Sequence, residues 1–298
     1  MSTAKLLSRI IKPEEVLASG SMPKEQTEIG RVLHEHTFGI TSDPLTQFAC
    51  VFSALVHDAD HPGVPNSCLV QEKTPLAVQY QDKSVAEQHS VDLAWNLLMT
   101  ESYKELRQAI CPTSNELKRL RQLVVNIVMA TDIMDRDLIK LRNCRWEKAF
   151  SEDTIEEGEN SNRDKINRKA TIVLEHLIQA SDVAHTMQHW HIYQKWNERL
   201  FREMYAAYKA GRAEKNPADF WYHGELGFLD NYVIPLAKKL RNCGVFGVSS
   251  DEYLTYAIRN REEFALRGHE VVASMLEKLR QEELQPQRQK SSEPGNSH

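Results

Sequence analysis

Hydrophobic positions along this chain recur mostly with the three-to-four-residue spacing of one helix face. The clearest case follows Ser42-Asp43-Pro44, a typical helix start with proline in the first turn. The apolar residues after it fall at i, i+3, i+4, i+7 and i+8. We expect them to form one buried face, made of Phe48, Val51, Phe52, Leu55 and Val56.

The same spacing predicts further helices at 84–99, 115–131, 166–184, 188–210, 225–241 and 250–280. The first of these starts with Ser-Val-Ala-Glu, which fits a capping box between Ser84 and Glu87. A kink is predicted at Pro235, because proline removes a helical N–H donor. The predicted buried faces are Val91, Ala94, Trp95 and Leu98 in 84–99; Leu117, Leu120, Val124, Ile127 and Val128 in 115–131; and Ala170, Leu174, Leu177, Ile178 and Ser181 in 166–184.

Alternating strand patterns are scarce, so the predicted fold class is all-α, a multi-helix domain. We expect this domain to span 43–280, after a partial, loosely ordered segment at 1–42 that is irregular at 18–30. The acidic stretch 151–165 is predicted to be a solvated loop, since it has few apolar residues. A polar, disordered tail is predicted at 281–298.

Composition narrows the possible functions. The chain has 298 residues and 41% hydrophobic residues, enough for a sizeable core. Its net charge of -5 excludes a broad basic field for nucleic acid. Five cysteines without a CxxC pair argue against a disulfide framework or a zinc knuckle. No run is apolar enough for a signal peptide or a membrane span, so we expect a cytoplasmic protein without membrane contact, or part of a longer membrane-linked one.

The stretch VFSALVHDADHPGVPN at 51–66 contains a candidate metal site. An apolar helix ends here on His57-Asp58, and His61 follows shortly after. Adjacent helical residues point about 100° apart, so both side chains can approach one ion only where the helix ends. Pro62-Gly63 supplies that end. The imidazole of His57 and the carboxylate of Asp58 are suitable ligands for zinc, manganese or magnesium. The simpler alternative is that both side chains only cap the helix and interact with its dipole.

A second acidic side chain stands in a similar setting. The segment LIQASDVAHT at 177–186 ends a long apolar face on Asp182. A carboxylate is unfavourable at a helix C-terminus, where the dipole prefers cations. A metal ion beside Asp182 would resolve this conflict, although a solvated polar residue at a helix end is the ordinary alternative. We therefore expect His57, Asp58 and Asp182 to converge.

Several segments of the sequence, taken together, resemble the motifs of a known family. HDADHPGVPN at 57–66 is similar to the H-D-x-x-H-P-G-x-x-N stretch of class I cyclic-nucleotide phosphodiesterases, whose catalytic domain is all-helical and of the HD metal-phosphohydrolase type. Further family motifs follow in the same order: SVAEQH (84–89), VMATDI (128–133), QASDVAH (179–185), YQKWNERL (193–200) and GELGFLDNYVIPL (224–236). The resemblance covers roughly residues 43–279.

The resemblance implies two divalent metal ions, zinc at the first site and magnesium or manganese at the second. His57, Asp58 and Asp182 would be ligands, with Asp58 bridging the two ions. His61 and Glu87 would support catalysis, and Thr131 and Asp132 would hold metal-bound water. Asp58, Asp182, Leu200, Glu225 and Phe228 would contact the substrate, with Leu200 and Phe228 on the two faces of the base. As bare sequence, Leu200 and Phe228 are more typical of a core.

The implied activity is hydrolysis of cAMP, cGMP or both to the 5′-monophosphate, as part of signal transduction. The family's opening motif, H-N-x-x-H-A-x-x-V, supplies the leaving-group acid and another ligand, and the chain lacks it. His34 and His36 do not have its spacing. We therefore expect impaired activity, with the chain corresponding to the larger C-terminal part of such a domain and upstream regulatory domains possible in a longer protein.

Two alternatives stay open. One is a catalytically inactive domain that binds a nucleotide or a partner, which the missing motif favours. The other is a different HD-type metal hydrolase acting on nucleotides. The family usually has Gln where this chain has Glu225, so the sequence leaves adenine or guanine selectivity undecided.

Overall fold

The structure is a computed structural model that describes residues 2–10, 26–150, 159–247 and 249–290. All regular structure within these residues is helical, which confirms the all-α prediction. The α-helices are α1 (Ser2–Leu7), α2 (Gln26–His36), α3 (Pro44–Val56), α4 (Asn66–Gln71), α5 (Pro75–Gln79), α6 (Val85–Met99), α7 (Lys104–Ile110), α8 (Ser114–Met129), α9 (Arg136–Phe150), α10 (Glu159–Asp182), α11 (Trp190–Lys209), α12 (Trp221–Phe228), α13 (Ile234–Asn242) and α14 (Ser249–Lys290).

The chain divides into two compact units. The first comprises Met1–Ala184 with Pro235–Leu254, and the second comprises His185–Ile234 with Thr255–His298. In the part of the chain that the structure describes, no helix combines the length and the hydropathy that crossing a membrane requires. The predicted domain limits at 43 and 280 stay a prediction.

The core of the first unit lies where α8 and α10 pack against each other and α3 packs on both. Most of the predicted faces of α8 and α10 is buried, with Leu120, Val124, Ile127 and Val128 on one and Leu174, Leu177, Ile178 and Ser181 on the other. Leu117 and Ala170 of the predicted faces are half-buried. Each fully buried Leu, Ile or Val side chain stabilises the fold by roughly 1.5–3 kcal/mol. This packing fixes the C-terminal ends of α3 and α10, which carry the candidate site.

Helix α3 begins as predicted but buries a different face. Asp43 accepts hydrogen bonds from the backbone N–H groups of Leu45 and Thr46, and Pro44 is the first helical residue. The predicted buried face is mostly wrong: of its five residues only Val56 is buried, while Val51 is 45% and Leu55 80% exposed. The other buried residues are the small Thr46, Ala49, Cys50 and Ser53. Small side chains let neighbouring helices approach closely, which the hydrophobic pattern alone did not reveal.

Two other local predictions are corrected. The capping box at Ser84 is wrong, because Ser84 has a left-handed backbone (φ 37°) and its side chain does not cap α6. Residues 159–165 belong to α10 rather than to a loop, whereas 151–158 lie outside the described residues. Residues 159–165 are all polar, so they carry no apolar spacing from which the helix could be predicted.

At the ends, α2 covers part of the segment predicted to be loose, and most of 18–30 lies outside the described residues. Helix α14 continues past residue 280 to Lys290, through a stretch of mostly Glu, Gln, Lys and Arg that is interrupted by Pro286. The rest of the predicted tail, 291–298, is outside the described residues.

The predicted kink near Pro235 has a structural counterpart. The π-helical turn Leu229–Val233 joins α12 to α13, and the N–H of Ile234 donates to the carbonyl of Leu229. Proline at 235 cannot donate a backbone hydrogen bond, so a widened turn directly before it accommodates the missing donor.

Candidate functional site

The ends of α3 and α10 bring three predicted ligands together within the first unit. His57 is the C-cap of α3 and its N–H donates to the carbonyl of Ser53. Asp58 follows it, and Asp182 is the last residue of α10. One potential ligand atom from each of the three lies within 4.8 Å of the others. The imidazole Nε2 of His57 is 3.2 Å from Asp58 Oδ2 and 3.4 Å from Asp182 Oδ1.

A backbone contact defines which nitrogen of His57 carries hydrogen. Its Nδ1 lies 3.1 Å from the carbonyl oxygen of Ala54. A carbonyl can only accept, so Nδ1–H donates and the lone pair of neutral His57 is on Nε2. Among the described residues, this buried atom has no hydrogen-bond partner. A lone pair facing two carboxylates is an arrangement that a shared cation stabilises, so these residues fit a divalent metal.

The charges in the cluster also indicate that a cation is needed beside His57 Nε2. Burial alone would lower the pKa of His57, but the Asp182 and Asp58 carboxylates outweigh it and raise this pKa to about 10. The His57 imidazole in turn lowers the pKa of Asp58 against the effect of partial burial. The cluster is thus stable only with a positive charge near Nε2. Either a proton or a metal ion satisfies it.

The loop after α3 is held by α6. The Ser90 hydroxyl donates to the carbonyl of Ala59, and His89 Nε2 lies 2.9 Å from Asp60 Oδ2. Asp60 has a positive φ of 60°, a left-handed conformation that few non-glycine residues adopt. The contact with His89 fixes the Asp60 side chain, so α6 sets the backbone path directly after His57 and Asp58.

Glu87 and Asn66 make a second attachment of the same loop. The side-chain amide of Asn66 donates to Glu87 Oε2 at 2.8 Å, and its oxygen accepts from the N–H of Ala86 at 2.9 Å. Burial raises the pKa of Glu87, although the Asn66 hydrogen bond opposes this. Glu87 therefore anchors α4 to α6, rather than serving in the predicted capping box.

Thr131 and Asp132 follow α8 and are held by different contacts. The Thr131 hydroxyl donates to the carbonyl of Val128 at 2.7 Å. The buried Asp132 accepts from the Ser84 hydroxyl at 2.6 Å through Oδ2, and from the N–H groups of Met134 and Asp135 through Oδ1. This explains why Ser84 adopts its unusual backbone conformation: its hydroxyl reaches Asp132 instead of the helix.

The remaining histidines of the region are exposed or structural. His61 is exposed, and its Nδ1 accepts from the N–H of Gly63 at 3.1 Å, so Nε2–H points away from this bond. His34 Nδ1 lies 2.6 Å from the Ser42 hydroxyl, and His36 Nε2 lies 3.3 Å from the Gly244 carbonyl. His34 and His36 thus make structural contacts away from the three-residue cluster and are not part of it.

The predicted substrate-contacting residues outside the cluster all lie in the second unit. Leu200 on α11 is 45% exposed, Phe228 ends α12, and Glu225 is buried. The Tyr193 hydroxyl donates to Glu225 Oε1 at 2.9 Å. Burial raises the pKa of Glu225 to about 7, against the hydrogen bonds from Tyr193 and Asn197.

Sequence reasoning missed Ser84, His89 and Asn66 as partners of the site. Asn66 and His89 lie inside the motif segments but carry no helical or ligand-spacing signal. Ser84 gave a signal that was misread, since Ser followed three residues later by Glu is also the capping-box pattern. The contacts of all three join parts of the chain that are well separated in sequence, which a local pattern does not encode.

The chain is similar in sequence to known cyclic nucleotide phosphodiesterases. The family model described as 3′5′-cyclic nucleotide phosphodiesterase matches residues 30–245. The chain is 28% identical over 157 residues to the dual specificity calcium/calmodulin-dependent 3′,5′-cyclic nucleotide phosphodiesterase 1B of Bos taurus, covering 53% of this chain and 26% of that protein. It is 32% identical over 160 residues to the probable 3′,5′-cyclic-AMP phosphodiesterase pde-4 of Caenorhabditis elegans, covering 53% and 23%. These matches therefore span about a quarter of the relatives' length.

Two solved phosphodiesterase domains from Salpingoeca rosetta share the fold. The phosphodiesterase domain of its RhoPDE fusion protein aligns with a TM-score of 0.60 at 19% identity, covering 94% of this chain and 78% of that one. The phosphodiesterase domain of its rhodopsin phosphodiesterase aligns with a TM-score of 0.61 at 21% identity, covering 93% and 82%.

Proposed function

Because this chain belongs to the 3′,5′-cyclic nucleotide phosphodiesterase family, we propose that it binds divalent cations through His57, Asp58 and Asp182 and hydrolyses 3′,5′-cyclic nucleotides. The observation that carries the proposal is the buried, unpartnered Nε2 of His57 between two carboxylates. An imidazole held in this tautomer by a backbone carbonyl is the usual form of a metal-ligating histidine. The substrate is a cyclic nucleotide, cAMP or cGMP.

Each side chain has a proposed role. His57, Asp58 and Asp182 hold zinc at a first site, and the exposed Asp58 also reaches magnesium or manganese at a second site. Divalent metals supply charge neutralisation at phosphate oxygens and a lowered pKa of bound water. Thr131 and Asp132 are proposed to order water beside the site.

Two further side chains complete the chemistry. His61 is exposed and has Nε2–H available, so we assign to it hydrogen bonding to substrate or water during proton transfer. Glu87 is assigned to water positioning, because burial raises its pKa and its other oxygen is not engaged by Asn66.

The base of the nucleotide is assigned to three other residues. Leu200 and Phe228 would contact its two faces, and Glu225 would contact its edge.

The expected turnover of this chain is low. It contains no H-N-x-x-H-A-x-x-V segment, the motif that would provide the acid for the departing 3′ oxygen. A positioned general acid typically contributes about 10²–10⁴-fold to a rate. Binding of metal and nucleotide without turnover would support the alternative of an inactive binding domain. We also expect the surrounding full protein to be cytoplasmic or membrane-linked, with regulatory domains outside this segment.

The test combines metal binding with hydrolysis. Zinc, manganese and magnesium binding is measured by calorimetry, and cAMP and cGMP turnover is measured with each metal. A second chain carries the opening motif of a relative fused before residue 2. We expect zinc binding by both chains and faster turnover by the fusion. Absence of metal binding and of turnover in both chains would refute the proposal.

A further inference from the structure

Helix α12 is held on α14, within the second unit, by the side chain of Tyr222 in its first turn. The Tyr222 hydroxyl donates to the carbonyl oxygen of Ala265 at 2.9 Å. Its ring stacks on the His269 ring, with centroids 3.8 Å apart and 20° between the two planes. The ring of the fully buried Phe264 also lies nearby, with 6.0 Å between centroids. The Tyr222 side chain is therefore fixed both at its hydroxyl and at its ring.

Gly268 is the residue of α14 that leaves space for this ring. A Cβ atom at position 268 would lie 2.7 Å from Cδ2 of Tyr222 and 2.9 Å from Cε1 of Phe264. Both distances are far below the optimal separation of non-bonded carbon atoms, about 3.5–4.0 Å. Glycine is unfavourable inside a helix, and Gly268 lies inside α14 without a left-handed backbone. The close approach of Tyr222, rather than the backbone conformation, thus explains the glycine.

A methyl group added at position 268 has few ways to be accommodated. The Tyr222 ring could move only by breaking its hydrogen bond to Ala265 or its stacking on His269. Phe264 cannot give way easily either, because it is 0% exposed. Overpacking of this kind is relieved by backbone shifts as well as by rotamer changes. We therefore expect the added methyl group to displace α12 from α14.

The other end of α12 is attached to α14 less firmly. Asp230, in the π-helical turn after α12, accepts two hydrogen bonds of 2.9 Å from Arg261 of α14. This ion pair is partly exposed, so water screens it and its contribution to stability is small. Glu225 and Phe228 lie between the two attachments. Of these two, the Tyr222 contact is thus the one that most restricts where Glu225 and Phe228 lie.

From these contacts we propose that Gly268 and Tyr222 are positioning residues, which set the place of α12 and hence of Glu225 and Phe228, the two side chains of this helix assigned to the nucleotide. The inference rests on the proposed cyclic-nucleotide function. Both residues act through α12, and neither is assigned a contact with the nucleotide. A single methyl group added to α14 should therefore weaken binding by side chains that belong to another helix.

The experiment is an equilibrium titration of the full chain for Gly268→Ala and a matched control. The probes are cAMP and cGMP, each with zinc and magnesium present, and zinc alone; chromatography checks that each nucleotide stays intact. The control is Gly30→Ala on α2, where an added Cβ meets nothing within 4 Å. Both substitutions replace glycine by the best helix former inside a helix, so they differ in what the methyl group meets.

Gly268→Ala should bind cAMP and cGMP roughly 10–100-fold more weakly than the parent, since a misplacement of about 1 Å costs up to about 100-fold at a positioned site. Its thermal unfolding midpoint should also fall, whereas Gly30→Ala should keep the parent's affinities without a lower midpoint. Zinc affinity should be the same in all three, because the His57 cluster lies in the first unit. A lower midpoint with unchanged nucleotide affinity in Gly268→Ala would overturn the inference, because it would show a purely structural role.

A second variant tests the contact itself. Tyr222→Ala should also weaken nucleotide binding, and because it adds no atoms it tests the inference even where Gly268→Ala does not fold. Adding Gly268→Ala to Tyr222→Ala should cost far less affinity than it does in the parent, because the missing ring leaves room for the methyl group. Additive losses, or full nucleotide affinity in Tyr222→Ala, would overturn the inference while leaving the proposed function intact. Absence of nucleotide binding by the parent would refute the proposed function and this inference together.

Discussion

Replacing either aspartate of the His57 cluster should weaken zinc binding, and the effect should be larger for the less exposed aspartate. The variants are Asp58→Asn and Asp182→Asn, which keep side-chain size and remove one negative charge. The side chain of Asp58 is 65% exposed and that of Asp182 is 39% exposed. Because water screens Asp58 more strongly, the loss of Asp182 should have the larger effect.

The magnitude follows from Coulomb's law. Two unit charges 4 Å apart interact by about 1 kcal/mol in bulk water and about 4 kcal/mol at an effective dielectric constant of 20. A divalent ion doubles these values to about 2–8 kcal/mol. The exposed Asp58 belongs near the lower limit, so Asp58→Asn should weaken zinc binding roughly 30–150-fold. Asp182→Asn should weaken it by more than about 100-fold.

The assay is competition between the protein and a chromogenic zinc chelator at pH 7.5. Glu101→Gln is the matched control: it also removes one carboxylate charge from the first unit, but this carboxylate pairs with Lys104 at 2.8 Å. We expect the control to bind zinc as the parent does. Zinc affinity that is equal in the parent, Asp58→Asn and Asp182→Asn would refute ligation by this cluster. The reverse order of the two variants would refute the exposure argument.

Three further outcomes are expected. Zinc affinity should rise by up to about tenfold per pH unit, because zinc binding displaces a proton from His57. The neighbouring carboxylates raise the pKa of His57 to about 10, so this proton is bound at neutral pH. Calorimetry in two buffers of different ionisation enthalpy measures the released proton. Ser84→Ala should lower the free energy of unfolding by about 1–3 kcal/mol, because Asp132 loses its buried hydroxyl donor, and urea denaturation measures it. Arg145→Met should lower it by about 3 kcal/mol, because Glu175 is left buried and unpaired, whereas Arg145→Lys should retain part of the stability.

The sequence predicted the helical fold well, since a buried helix face leaves a direct trace in hydrophobic spacing. The α8 face from Leu120 to Val128 is the clearest case. Helix α3 shows the limit of that signal. Its apolar residues Val51 and Leu55 are exposed, while Ala49 and Ser53 are buried, because close packing selects small size as well as hydrophobicity.

The candidate site was only partly predictable from sequence. His57 and Asp58 are adjacent, so a motif could indicate them, and Asp182 was indicated by its unfavourable place at a helix end. Nothing local could indicate that Ser84 bonds Asp132 across 48 positions, or that His89 meets Asp60. Those contacts depend on how α6 packs, and the capping-box pattern at Ser84 gave the wrong local assignment.

The backbone at Asp60 restricts which residues this position can tolerate. A φ of 60° is most accessible to glycine, asparagine and aspartate, while the contact with His89 Nε2 requires a side-chain oxygen at the reach of aspartate or asparagine. Only aspartate and asparagine meet both requirements. In a library of all substitutions at residue 60, glycine would keep the backbone and lose the His89 contact, glutamate would keep a carboxylate in a strained backbone, and large apolar residues would lose both. Residue 60, two positions after the proposed ligand pair, should thus tolerate few substitutions, because of its backbone geometry as much as its side-chain contact.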